Sequence, residues 1–519
     1  MADDQQERRE IEEYLNQHHL QAFLGDAVND VVKERPNDPL IRLADALRAC
    51  SVSSKQIQAV RGRQILNGEA LPALEVEIST CQGHFCGAVS VGPCGEEEER
   101  YEAKGVLAAL GSVGHVLAES LQGKDPTMQA MVDKTLTSES SLPSKSVSAA
   151  SIACCKAGAR QALISVYDHV AIMSNNSEGA IPAPAFSIIN GGRLSSSSLW
   201  VQDILVAPTG ASARFADRLL VASTLHRTLE EVARQAGQET LQRGPRGGFC
   251  NDAGTFEQLM DCLVTALEAA ECVGSVQIVI DVHASKLVLP GDGEQASRKN
   301  EEEVVTYDLA TYNSDKTAVD RTATAGGLLD IYLEWLEKYP ISGFVEPFAA
   351  ADVAHAKDLL IRGHQVLQSK AKSSSGEGRK TILAASKPPG ETVALQAESG
   401  GDALPSGCDD NSLLKVVADE NVLTPAQLVF VNEQRGANAI LINTAKMSTV
   451  SKSIALAGKA SEVGWTTFVG ASSEDELEGE FLTDLAVGLR AEMLLMGGLR
   501  AAGTVTACAH MARIESRGL

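Results

Sequence analysis

VQIVID at 276–281, ISGFVE at 341–346 and KVVADE at 415–420 decide how this chain folds. Each is a short apolar run, rich in Val and Ile, that ends on an acid and leads into a stretch with helical spacing. Runs of this length bounded by turn residues read as strands buried on both faces. The same rhythm lies on either side of them, in FSIIN (186–190), ILVAP (204–208), AILIN (439–443), TTFVG (466–470) and MLLMG (493–497). Eight strands alternating with helices over residues 181–519 predict an α/β architecture, a parallel sheet closed into a (β/α)₈ barrel.

In such a barrel the working groups sit at the C-terminal ends of the strands. Asp281, Glu346 and Asp419 stand at three such ends. Three carboxylates from successive strands could converge on one divalent cation, because hard cations take oxygen ligands. Equally, each acid could cap the helix that follows it.

Residues 368–411 interrupt the rhythm. SKAKSSSGEGRK and KPPGETVALQAESGGDALPSGCDD are polar and rich in Ser, Gly and Pro, which predicts a surface insertion. Ahead of the barrel, residues 51–180 begin with LEVEISTCQGHFCGAVSVG, whose alternation and Gly83-His84 predict an antiparallel hairpin. Helical segments follow, so this part reads as an α+β domain. Residues 1–50 read as a helical hairpin. From Ile11 the apolar residues Tyr14, Leu15, Leu20, Phe23, Leu24, Ala27, Val28, Val31 and Val32 fall at helical spacing, and Arg35-Pro36 stops the run. Asp38 is a good N-cap with Pro39 at the first helical position, and Leu40, Leu43, Ala44 and Leu47 form one stripe. Two short helices cannot bury such stripes alone. They must pack on the main body or on a second copy.

The chain has 519 residues, 44% of them hydrophobic, and a formal net charge of −23. That charge disfavours nucleic-acid and anionic-membrane partners. A small anionic substrate stays possible, because a bound metal inverts the local field. No apolar run approaches the roughly 18 residues of a membrane span. The polar, acidic start MADDQQERREIEEYL is neither a signal peptide nor a transit peptide, so a cytoplasmic location is expected. Eleven Cys without a CxxC pair read as reduced thiols.

The barrel half resembles enolase. PAPAFSIINGG (182–192) is similar to that family's PVPAFNVINGG, and SLWVQDILVAPTGASARFADRL, QIVIDVHASK, GFVEPF, VVADENVLTPAQL, NAILIN, GWTTFVG and FLTDLAVGLRAEMLLMGG follow in the family's order. The likeness runs from about Val60 to Leu519 and implies the enolase fold, a capping domain on a TIM-type barrel. EEYLNQHHLQAFLGDAVNDVVKERPNDPLIRLADAL (12–47) resembles the RIIa and Dpy-30 type of dimerisation-docking helices. That resemblance implies a homodimer whose four-helix bundle takes an amphipathic helix from an anchoring or axonemal partner. A docking module joined to a diverged enolase is similar to the enolase-like proteins of sperm and other flagella, which implies a cilium or flagellum as the setting.

Enolases dehydrate 2-phosphoglycerate to phosphoenolpyruvate, with a Lys base, a Glu that assists loss of hydroxide, and two Mg²⁺. Carried over position by position, the resemblance implies a damaged site. Asp281 and Asp419 match two Mg²⁺ ligands. At the third, ungapped alignment sets Val345, with Glu346 one place on and turned to the other strand face unless a local deletion restores it. Asp203 replaces a catalytic Glu. The base falls at Asn443, with Lys446 three residues further on. Arg246 reverses the charge of a loop Glu, Leu194 replaces a loop His, and Cys94 falls where a Ser binds the second Mg²⁺. The substrate-binding positions fall at Ala471, Ser472 and Leu495. Losing a general base alone costs about 10²–10⁴-fold. The expectation is therefore an impaired or inactive scaffold with weak or absent Mg²⁺ binding at Asp281, Asp419 and Glu346. The alternative is a working phosphopyruvate hydratase of glycolysis, in which groups such as Asp203, Lys446 and Glu346 carry the chemistry.

Overall fold

A computed structural model of the chain describes residues 11, 13–50, 56–68, 70–90, 106–192, 195, 197, 199–209, 214–236, 242–244, 246–250, 255–289, 305–309, 322–374, 414–470 and 476–519. Cys94, Leu194, Ala471 and Ser472 lie outside the described residues, as does the expected insertion beyond Ser374. Gln368–Ser374 itself is helical, the end of a helix over Val353–Ser374.

At the front, helices α1 (Leu20–Glu34) and α2 (Pro39–Cys50) pack on each other. The helix expected to run unbroken from Ile11 turns at His18–His19, where His19 takes a left-handed φ of 50°, and restarts at Leu20. Asp38 accepts hydrogen bonds from the Leu40 and Ile41 amides, as an N-cap does. Ala27 and Val31 are buried, whereas Phe23, Leu24, Val28, Val32, Leu40 and Ile41 are exposed.

The next domain is a three-stranded antiparallel meander, β1 (Ala59–Leu66), β2 (Pro72–Thr80) and β3 (Gly83–Ser90), covered by helix α3 (Ser144–Gln161). The hairpin turns at Cys81–Gln82, two residues ahead of the expected place. Helix α3 is rich in Ala and Ser, so it lies close on the sheet. A Cβ added to Gly87 of β3 would stand 2.1 Å from the Ala149 carbonyl oxygen, which only glycine tolerates.

The barrel consists of β4 (Ala183–Asn190), β5 (Asp203–Pro208), β6 (Val276–Asp281), β7 (Ile341–Val345), β8 (Lys415–Ala418), β9 (Ala439–Ile442), β10 (Thr466–Gly470) and β11 (Met493–Met496), with β11 pairing back onto β4. The sheet is closed, but it is not wholly parallel. β5 runs antiparallel to both β4 and β6. The described residues of the 191–202 connection form no crossover helix, and a parallel return would need one. Two helices, Phe215–Gln235 and Phe256–Ala269, follow β5 before the regular strand–helix alternation begins. Several outer helices start on caps visible in the sequence, such as the Thr255/Gln258 capping box, Thr324, Thr424 with Pro425, and Thr449.

The capping domain is fastened over the barrel. Asp133, buried, accepts from the backbone amide and hydroxyl of Ser451 at 2.9 and 2.6 Å, and Lys156 pairs with Glu478 at 2.6 Å. Among the described residues no helix is long and apolar enough to cross a membrane.

Candidate functional site

Strand alternation assembles the barrel mouth. Leu205, Ala207, Val279, Val345, Val417 and Leu441 fill the barrel interior. Counting by twos from these residues places Asp203, Asp281, Asp419 and Asn443 on the same inward face, one step beyond the packed layer. Asp203 begins its strand, yet it joins the C-terminal ends of the others because β5 is reversed. It stands in register with Asn190 on one side and Asp281 on the other.

Asp203 is fully buried and fully engaged. One carboxylate oxygen accepts from Ser187 at 2.5 Å and Asn190 at 2.6 Å, and the other accepts from the Arg246 guanidinium at 2.5 Å. Arg246 is buried as well. Lys446 donates to Asp419 at 2.6 Å and lies 3.4 Å from Glu420. Burial opposes the charge on Lys446, but Asp419 and Glu420 outweigh it and hold the ammonium far above the ordinary lysine range. A lysine so held is disfavoured as a general base. Asn443 accepts from the Ala445 amide at 3.0 Å and caps the short helix Thr444–Met447. Leu495, at the expected carboxylate-binding position, packs into the barrel interior.

Glu346 departs from the expectation that it faces away. Its φ is 46°, a left-handed conformation that ends the strand alternation, and its side chain is completely buried. Ligand atoms of Glu346, Asp419 and His283 lie within 4.8 Å of one another. Burial, reinforced by the Asp419 charge, pushes the Glu346 carboxyl up to about 8. Burial likewise raises Asp281 to about 6, with the charges of Asp203 and Asp419 adding to it. For His283 burial works the other way, yet its hydrogen bond to Glu420 and the field of Glu346 lift it to about 9. Both oxygens of Glu346 and Oδ1 of Asp281 are buried without a hydrogen-bond partner among the described residues. Orphaned carboxylate oxygens at one end of a barrel fit a divalent cation. Among the described residues the ligand atoms close enough to share one are those of His283, Glu346 and Asp419, so Glu346 and Asp419 of the expected triad would hold it and Asp281 stands outside the group. Bound there, such a cation would supply Lewis-acid polarisation of an oxygen.

The structure thus gathers Asp203, Asp281, Glu346, Asp419 and Lys446 at one mouth and sets Asn443 and Arg246 among them. His283 and Glu420 also belong to it, although sequence reasoning did not single them out. The available signal was position: His283 lies two residues beyond Asp281, and Glu420 directly follows Asp419.

The family model described as "Enolase, C-terminal TIM barrel domain" matches residues 178–368 and 406–517, and "Enolase, N-terminal domain" matches 57–170. The chain is 28% identical over 467 residues to the enolase of Eimeria tenella, covering 85% of this chain and 91% of that protein. It is 25% identical over 508 residues to cytosolic enolase 3 of Arabidopsis thaliana, covering 94% and 92%, and 25% identical over 451 residues to the enolase of Mastigamoeba balamuthi, covering 83% and 89%.

Proposed function

This chain belongs to the enolase family, and we propose that within it the protein has set aside dehydration of 2-phosphoglycerate to serve as a scaffold. The observation that carries this reading is the state of the two side chains left to move protons. Asp203 is tied to Arg246, and Lys446 is tied to Asp419, both in buried ion pairs. The family position of the base is a helix-capping Asn443. In this reading Mg²⁺ binds weakly or not at all, because Lys446 already neutralises Asp419. The apolar stripes exposed on α1 and α2 make the hairpin the scaffold's working end. Paired with a second copy, the hairpin offers a groove for an amphipathic helix of an anchoring or axonemal partner, in the cytoplasm of a cilium or flagellum.

The second reading, an active phosphopyruvate hydratase, draws on the orphaned oxygens of Asp281 and Glu346, which keep a place for a cation. Proton exchange separates the two. In deuterated water with Mg²⁺, a working base would exchange the C2 hydrogen of 2-phosphoglycerate, followed by proton NMR. The scaffold reading expects no exchange above the protein-free control. Exchange abolished by Lys446→Ala would establish the hydratase reading instead.

A further inference from the structure

The loops that follow β6 and β7 are interlocked in an unusual way. The Val282 amide donates to the Val345 carbonyl and the Ala284 amide to the Glu346 carbonyl, both at 3.0 Å. Between these bonds His283 and Glu346 each take a left-handed backbone, at φ of 54° and 46°. Neither is glycine, so each conformation carries a cost that the surrounding bonds must offset. The two turns aim an imidazole and a carboxylate at one point, with the His283 Nε2 4.0 Å from Glu346 and Asp419 completing the group. Glu346 is fully buried and neither of its oxygens finds a partner among the described residues.

Charge leaves room for a cation. Asp281, Glu346, Asp419 and Glu420 share the mouth, while Arg246 is committed to Asp203 and Lys446 supplies one fixed positive charge. His283, whose Nε2 lies 3.2 Å from Glu420, must give up its proton and that bond to bind an ion. The donor set decides which cation. Mg²⁺ requires near-octahedral oxygen ligands, and here an imidazole nitrogen occupies one side of the site. Imidazole beside carboxylate suits a borderline ion such as Zn²⁺. We propose that His283, Glu346 and Asp419 form a binding site for a borderline divalent ion of the Zn²⁺ type, in place of a magnesium site. Its role is to hold the ends of β6, β7 and β8 together. The inference stands apart from the scaffold reading, because it concerns which ion is bound and not whether substrate turns over.

The test is titration of the full-length chain, freed of metal by chelation, with Zn²⁺ and separately with Mg²⁺ in a calorimeter. Co²⁺ serves as an absorption probe, since the chain's 11 Cys are rival ligands and a thiolate would betray itself by a charge-transfer band. Expected are one Zn²⁺ per chain, a Co²⁺ spectrum without that band, and Mg²⁺ binding weaker by about a hundredfold or more. His283→Ala should weaken Zn²⁺ about a hundredfold, at the upper end of what loss of an outer-shell partner costs. Lys446→Met should tighten it by removing a competing charge. Should His283→Ala fail to fold, Glu346→Gln, which keeps the shape and removes the charge, carries the same expectation of weakened binding. Mg²⁺ binding as tightly as Zn²⁺, or Zn²⁺ affinity unchanged in His283→Ala or, failing that, in Glu346→Gln, would overturn the proposal.

Discussion

Asp203 and Arg246 form a buried pair with nowhere to discharge if one member is removed. Stranding one charge of such a pair costs about 3–5 kcal/mol. Ser187 and Asn190 still serve Asp203, so Arg246→Ala should lose about 3 kcal/mol in urea unfolding, towards the lower end of that range. Adding Asp203→Asn should recover more than half. A loss below about 1 kcal/mol for the single variant would show that the pair does not constrain the site. His226 gives a pH prediction. It stacks on Phe249 with ring centroids 4.4 Å apart, and neither ring nitrogen has a hydrogen-bond partner among the described residues. Burial, with Arg500 adding to it, depresses its value from 6.5 to about 4. The unfolded chain therefore binds a proton that the folded chain refuses between those values. Stability is fully present above about pH 6.5 and falls towards pH 4, by at most about 3 kcal/mol from this residue. His226→Phe should flatten that limb, and an unchanged acid limb would contradict the assignment. At this scale the sequence was partly legible. Counting by twos places Asp281, Asp419 and Asn443 correctly, because regular strands carry them. It fails for Glu346, where a left-handed turn ends the alternation, and it is silent on the pairing of Arg246 with Asp203, a residue that only the reversed strand brings to this mouth.

Elements were easier to read than their directions. The apolar cores and threonine caps announce strands and helices locally, whereas the antiparallel course of β5 goes with a connection whose described residues form no crossover helix. The break at His18–His19 had no Pro or Gly to mark it. The hairpin α1–α2 is the element whose surface is least accounted for by its own chain. Leu24, Val28 and Val32 are each exposed by 46–64%, an arrangement that water disfavours. The isolated segment 1–55 is expected to sediment as a dimer, and Leu24→Asp to make it monomeric. A folded wild-type monomer would instead mark the hairpin as an arm without a docking role.

The whole molecule couples two domains over one mouth, through Asp133 with Ser451 and Lys156 with Glu478, and keeps that mouth rich in carboxylates. The fold persists because its stability rests on the barrel interior and the capping sheet, neither of which needs the catalytic groups. On the proposed reading the chemistry depends on a few side chains, and those have changed. The most direct test is a coupled assay of purified full-length protein with 2-phosphoglycerate and saturating Mg²⁺, run beside an active relative. The account predicts turnover at least about 10⁴-fold below that relative, the combined effect of a lost base and lost electrostatic anchors. Turnover within about tenfold of it, abolished by Lys446→Ala, would contradict the account.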